Sequence, residues 1–167
     1  METRNSIKLE NHYKVECIRQ GKVVWADEFD NIVVTAGLND SLDKHLKGSG
    51  YTAAWYVGLL SGTPTVNAAD TMGSHAGWTE IEDYDEATRE ALTLGAVSAG
   101  SVDNSASVAS FAINAGVTVG GAFVTTVNTK GGTTGTLYGA GAFTAGNRAL
   151  IAGDTLNVTA TCSAAAA

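Results

Sequence analysis

Charged residues are scarce in this chain, and the basic ones are outnumbered by the acidic ones. Only 16% of the 167 residues are charged, with 10 Lys and Arg against 17 Asp and Glu, and the net charge is −7. Sequence-independent binding to nucleic acid needs clustered Lys and Arg that neutralise phosphates. The composition therefore argues against a nucleic-acid partner.

Proline occurs once, cysteine occurs twice, and long apolar runs are missing. Because no window approaches about 18 consecutive apolar residues, no membrane span is predicted. The polar, charged start of the chain lacks the apolar stretch of a secretory signal, so we expect synthesis in a reducing cytosol. Cys17 and Cys162 are accordingly expected to be free, partly buried thiols, although terminal strands lying side by side would leave a disulfide open to them.

The chain is rich in Gly, Thr and Ala, and its short apolar segments favour β-structure. A hairpin is predicted from the alternating residues 12–19 and 23–29 around Gly21. Short runs with glycines between them predict further strands at 31–35, 55–60, 93–98, 106–114, 117–127, 135–143 and 154–162. Gly120-Gly121 indicates a bulge or a tight bend inside one of these strands.

One segment changes to a helical period. Leu38, Leu42 and Leu46 recur every fourth residue, Thr35 is placed to cap the start, and Gly48 follows the end, so a short amphipathic helix is predicted over 36–47. The fold class is therefore all-β: a β-sandwich, jelly-roll-like, with one short α-helix. We expect one domain over residues 1–163 with an N-terminal hairpin or arm over about 1–30, and a frayed alanine tail over 164–167.

The charge is unevenly distributed along the chain. Residues 91–167 hold four of the charged side chains, and their charges sum to zero: Asp103, Lys130, Arg148 and Asp154. A free monomer usually keeps both signs interspersed over its whole surface. We therefore expect a homodimer or homotrimer that buries the charge-poor face of residues 91–167.

The sequence offers little for catalysis or for holding a cofactor. The three histidines, His12, His45 and His75, share no metal-ligand spacing, and no CxxC is present. The acidic run 80–86 lacks the pattern of a calcium loop, and no GxSxG marks a nucleophile. We expect no metal, no cofactor and no enzymatic activity.

The order of several segments resembles a group of small virion-associated proteins of tailed bacteriophages. The resemblance covers roughly residues 29–161 and is carried by the segments FDNIVVTAGLNDSLDKHL, WYVGLL, HAGWTEIEDYDEATREALTLG, GGAFVTTVNTKGGTTGTLYGAGAF and GDTLNVT. It implies a virion structural protein, synthesised in the cytoplasm of the host bacterium. A single β-rich domain favours a capsid decoration (cement) protein on the outside of the head, and a tail, tail-fibre or connector protein is the alternative.

A decoration protein implies a surface that binds the major capsid protein. We place this contact on the charged N-terminal part, where the lysines and arginine would meet acidic capsid surface and the aromatic residues would fill pockets. The same hairpin is equally well explained as the first two strands of the sandwich. Trp78, in a charged segment, fits either a core residue or an interface anchor. The interface candidates are Lys8, Lys14, Arg19, Lys22, Trp25, Phe29, Trp78 and Tyr84.

Overall fold

The structure, a computed structural model, describes residues 6–51 and 53–166. It contains twelve strands and one helix. In chain order these are β1 (Ile7–Arg19), β2 (Lys22–Asp30), β3 (Ile32–Val33), α1 (Thr35–His45), β4 (Tyr56–Ser61), β5 (Glu80–Ile81), β6 (Glu90–Ala91), β7 (Ser101–Asp103), β8 (Ala109–Ala112), β9 (Val117–Thr125), β10 (Leu137–Ala142), β11 (Arg148–Leu150) and β12 (Thr155–Ala166).

The strands form two antiparallel sheets packed face to face. The N-terminal sheet has five strands in the order β2-β1-β12-β7, with β8 also paired to β12. The central sheet has seven, in the order β3-β10-β9-β4-β5, with β11 paired to β9 and β6 to β4. The predicted all-β sandwich with one short helix is confirmed. The jelly-roll description fits less well, because β1 with β2 and β9 with β10 are hairpins within one sheet.

The two terminal strands lie side by side in the middle of the N-terminal sheet. Their ladder runs from Ile7 opposite Ala166 to Ile18 opposite Thr155. The expected fraying of the alanine tail is therefore wrong for residues 164–166, because β1 supplies backbone partners for them. Residues 1–5 of the predicted arm, and residue 167, lie outside the described residues.

The central sheet is buried on both of its faces. Its inner face packs against the N-terminal sheet in a core that includes Tyr13 and Val15 from β1 and Val57 from β4. Its other face is covered by a second cluster, formed by Val34, Leu60, Met72, Trp78, Phe123, Leu137 and Ala140. A strand covered on both sides has no solvent side, which explains why β4 is apolar at nearly every position.

The predicted helix is confirmed, but its contacts differ from those expected. Val34 occupies the N-cap position and no side chain caps the helix, so the role predicted for Thr35 is wrong. Gly37 is the buried residue of α1 and lies against the backbone carbonyl of Tyr138, a position with no room for a Cβ. This contact turns Leu38, Leu42 and Leu46 away from the sheet and towards solvent.

The remaining strand predictions are confirmed with one exception. Strands lie within the segments predicted at 106–114, 117–127 and 135–143, and β12 covers most of the segment predicted at 154–162 but continues to Ala166. The strand predicted at 93–98 is wrong, because this segment is largely irregular and β7 begins only at Ser101. The bulge at Gly120 is confirmed: pairing passes from Leu60 with Gly121 to Ser61 with Val119 and skips this glycine.

Candidate functional site

The outward side of the first hairpin is exposed and polar, and Lys8 and Lys14 on it already have partners. Lys8 forms an ion pair with Glu10, and Lys14 Nζ lies 3.0 Å from a Glu16 carboxylate oxygen. Lys22 is exposed at the start of β2. Surface ion pairs of this kind contribute about 0–1 kcal/mol. Lys8 and Lys14 can therefore exchange these partners for others at little cost.

Acidic residues of β2 extend the same surface. His12 Nδ1 lies 2.9 Å from Asp30, its direct partner across the hairpin, and its Nε2 lies 3.5 Å from Glu28, which is diagonal to it. We call this surface the outer face and define it by the residues Lys8, Glu10, His12, Lys14, Glu16, Glu28 and Asp30. Carboxylates outnumber lysines on it. The outer face is therefore net acidic, and the expectation that its lysines meet an acidic capsid surface stays a prediction.

Arg19 has a structural role, while its side chain stays 37% exposed and its predicted contact with a partner remains a prediction. Its Nε and Nη2 donate to the two carboxylate oxygens of Asp154 at 2.7 and 2.8 Å. Asp154 is buried and also accepts the backbone N–H of Ile151. Hydrogen bonding from Arg19 holds the pKa of Asp154 below its usual range. The ion pair joins the end of β1 to the turn before β12. The Arg19 guanidinium therefore already has a partner within the protein.

Phe29 and Trp25 point into the sandwich and do not form exposed anchors. Phe29 is buried and stacks on Tyr13, with ring centroids 5.1 Å apart. Trp25 is half-buried against Phe143, and the guanidinium of Arg148 lies 5.9 Å from its ring. A partner surface would reach Phe29 only by opening the core, so its predicted contact role is wrong. Trp25 retains a partly exposed edge.

Trp78 is a core residue, which decides between the two roles left open by the sequence. It is 5% exposed, and its Nε1 donates to Asp70 at 2.9 Å. His75 stacks on its ring with centroids 3.6 Å apart. The segment between β4 and β5 folds over the central sheet and supplies both partners. These contacts close the tryptophan off from any partner protein.

Tyr84 is likewise buried, at 1% exposure, so its predicted interface role is wrong. Its ring lies beneath Lys130, whose Nζ is 3.8 Å from the ring centroid. The same Nζ donates to the backbone carbonyls of Tyr84 and Glu82 at 2.8 and 3.3 Å. Lys130 thus connects the loop after β9 to the acidic segment 80–86. Its ammonium group also covers one face of the Tyr84 ring.

Arg89 is a fully buried cation that the sequence analysis did not single out. Its Nε and Nη2 donate to the two Glu80 oxygens, each at 2.7 Å. It also donates to the carbonyls of Val127 and Gly132 at 2.7 and 2.9 Å. The signal available in the sequence is one arginine beside a run of carboxylates. With four hydrogen bonds, Arg89 joins its own segment to β5 and to the loop between β9 and β10.

The four charges of residues 91–167 are each engaged within the molecule. Asp154 pairs with Arg19, Lys130 covers Tyr84, and Arg148 lies over Trp25. Asp103 accepts the backbone N–H of Ser105 at 2.7 Å. The charge-poor half therefore offers a partner mainly hydroxyl, amide and small apolar groups.

The apolar face of the predicted amphipathic helix is exposed and does not pack on the sheet. Leu38, Leu42 and Leu46 are 41%, 56% and 74% exposed. We call these three residues the leucine row. Their spacing predicts an apolar face of the helix but does not say which side of the helix meets the sheet.

A cavity of about 270 Å³ opens beside α1, on the helix side facing the sheets. Its walls are mostly apolar, while α1 contributes a polar edge; the lining includes Lys44, His45, Tyr51, Trp55, Leu94, Tyr138 and Cys162. Asn11 lies opposite Cys162 on β1, is 2% exposed, and finds no hydrogen-bond partner among the described residues for its side-chain amide. The cavity has the chemistry to accept a small apolar group.

The two thiols are far apart, and burial disfavours their reactive thiolate form. Cys17 lies opposite Leu156 and Cys162 opposite Asn11, which separates the cysteines by about 20 Å along the ladder. Burial raises the pKa of each thiol to about 11, with nearby Asp154 adding to the effect at Cys17. A thiol that stays protonated at neutral pH is a poor nucleophile. The cysteines are free, as predicted.

Within residues 6–51 and 53–166, no three His, Cys, Asp or Glu side chains come close enough together to hold a metal ion. The described part of the chain also has no helix with the length and apolar character needed to cross a membrane.

In comparisons with known proteins, no family model, no curated protein and no solved structure matches the chain. The resemblance to virion proteins therefore stays a prediction.

Proposed function

We propose that this chain is a structural protein of a bacteriophage virion, and specifically a capsid decoration protein. It binds the outside of the head, bridges subunits of the major capsid protein, and associates with copies of itself. The observation that carries the proposal is the contrast between the two sheets. The central sheet is covered on both faces, while the N-terminal sheet exposes a broad polar outer face.

The architecture suits a protein that must stay folded while it binds neighbouring subunits of the capsid. β1 and β12 pair with each other over residues 7–18 and 155–166. Both strands are therefore held by backbone hydrogen bonds along their length. Two ion pairs stabilise the two ends of the sandwich: Arg19 with Asp154, and Arg89 with Glu80. A protein that binds only the mature lattice stabilises that lattice by mass action, without any chemical step.

The outer face is the surface that we assign to the capsid. Lys8 and Lys14 are held only by surface ion pairs, and Glu28 and Asp30 are exposed. On docking, these groups exchange their weak internal partners for charges of the capsid subunits. Charge complementarity of this kind gives orientation and specificity more than affinity.

The first test is the number of copies in purified particles, measured by quantitative mass spectrometry. A decoration protein is present in on the order of hundreds of copies, whereas about three to eighteen copies would place the chain in the tail or connector. Absence from particles overturns the virion assignment altogether.

The second test reverses charge on the outer face. The variant E28K/D30K is expected to lower occupancy on particles lacking the native protein by about tenfold or more, because two contacts become repulsive. The matched control E82K/D83K makes the same charge change in the exposed acidic segment and should bind normally. Unchanged occupancy of E28K/D30K, or an equal loss in both variants, rules out the outer face as the specific contact.

A further inference from the structure

The leucine row is an apolar ridge on the outside of the sandwich. Leu38, Leu42 and Leu46 follow one another at intervals of four residues, so they lie along one line of the helix surface about 12 Å long. Their exposure increases steadily towards the end of α1, from 41% to 74%. The helix itself is held to the sheet through Gly37, on a different side. The ridge therefore contributes little to the core of its own chain.

The charged side chains near the leucine row pair with one another and leave no charge of one sign that would attract a charged partner. The helix charges nearest its C-terminal end pair with one another: Asp43 lies 3.1 Å from Lys47 and 3.7 Å from Lys44. The positions three residues from the leucines on the helix surface are Thr35, Asn39, Ser41, Asp43 and His45, and of these Asp43 is already paired with Lys47. A partner that covers the ridge must therefore be apolar and close to neutral where it touches.

A second copy of the same ridge meets this requirement. Rows of side chains four residues apart are the ridges that interlock when two helices cross at about −50°. With Leu42 near a two-fold axis, each copy's Leu38 faces the partner's Leu46. Such an isologous contact is closed, so it yields a dimer and not a filament.

The area is consistent with an interface core. The exposed parts of the three leucines add up to about 300 Å² per copy, within the range of the largest apolar patch on a typical monomer. A stable interface buries about 800 Å² per partner, with a polar rim around its apolar centre. The leucine row supplies the centre, and the surrounding helix and loop residues complete the rim.

We infer that the leucine row is the self-association surface of this protein, formed between two antiparallel copies of α1. The inference rests on the self-association included in the proposed function. It places the contact between copies on α1 and not on the charge-poor residues 91–167. There, the large exposed apolar residues Val97, Val108 and Ile151 lie on three separate segments. It is tested in solution without particles, so its failure and that of the virion assignment are distinguishable.

The test is sedimentation velocity over a concentration series from about 1 µM to 1 mM, a range that covers weak and strong dimers. The wild-type chain is expected to shift from monomer to dimer. Leu42→Glu places two carboxylates at the two-fold axis and should raise the dissociation constant at least about a hundredfold. Val97→Glu is the matched control, because Val97 is 75% exposed outside the helix, and it should dimerise like the wild type.

A second measurement does not depend on a charged substitution. Leu42→Cys should give a covalent dimer with a short bis-maleimide linker, while Val97→Cys should not, and circular dichroism confirms that each variant is folded. A wild-type chain that stays monomeric up to 1 mM overturns the inference. So does a dimer that Leu42→Glu leaves intact, or one that both glutamate variants abolish.

Discussion

Arg89 and Glu80 form a two-pronged ion pair inside the protein, with both carboxylate oxygens 2.7 Å from guanidinium nitrogens. The arginine side chain is completely buried, and the Glu80 side chain is 7% exposed. The ring of Phe123 lies beneath the guanidinium, 5.2 Å from its central carbon. This pair holds together β5, the segment before β6, and the loop between β9 and β10.

Removing the arginine should be strongly destabilising. In Arg89→Ala, the Glu80 carboxylate loses its partner in a buried site and two backbone carbonyls lose their donors, so the free energy of unfolding is expected to fall by about 3–5 kcal/mol. Lys14→Ala, which breaks the exposed pair with Glu16, should cost less than about 1 kcal/mol. Urea unfolding followed by tryptophan fluorescence gives both values. Similar losses in the two variants would contradict the structural role of Arg89.

Gly37→Ala is expected to change the stability of the protein in the opposite direction from most glycine-to-alanine substitutions in helices. Replacing a helical glycine by alanine normally stabilises a protein by about 1 kcal/mol. Here the new Cβ would overlap the carbonyl of Tyr138, so Gly37→Ala should destabilise the protein and loosen α1. Gly50→Ala is the control, because nothing lies within 4 Å of the added group. Thermal unfolding and amide exchange of α1 measure the effect, and a stabilised Gly37→Ala would disprove the close contact.

The pair of Arg19 and Asp154 should appear in the acid dependence of stability. Hydrogen bonding from Arg19 lowers the pKa of Asp154 in the folded state. A lowered carboxyl pKa contributes stability that is present above the unfolded value of about 4 and is lost as the pH falls through the lower folded value. Asp154→Asn should therefore weaken the loss of stability on acidification below pH 4, measured by urea unfolding at a series of pH values. Asp83→Asn, at an exposed position, should leave this slope as in the wild type.

The thiols should be slow to react while the protein is folded. Burial raises the pKa of Cys17 and Cys162 to about 11, so the thiolate fraction at pH 8 is more than about a hundredfold below that of a free cysteine. Alkylation by iodoacetamide, followed by mass spectrometry, should be slow in the native protein and fast in urea. Rapid native labelling of either cysteine would show that its site is open to solvent.

Local patterns in the sequence were enough to predict the sandwich, the first hairpin, the helix and the bulge at Gly120. Alternation, turn glycines and a period of four residues report on the backbone because they act between near neighbours. The same patterns missed the two-residue strands β5 and β6. Segments that short exist only because β4 lies beside them and supplies hydrogen bonds.

The surfaces were decided only by the tertiary structure. Arg19, Phe29, Trp78 and Tyr84 look like contact residues in the sequence, yet distant partners such as Asp154 and Lys130 bury or engage them. The leucine row looks like core, yet Gly37 brings a different side of α1 onto the central sheet. Which face of an element meets the rest of the chain depends on contacts far apart in sequence. Periodicity marks an apolar face, and only packing determines whether that face is buried or left for a partner.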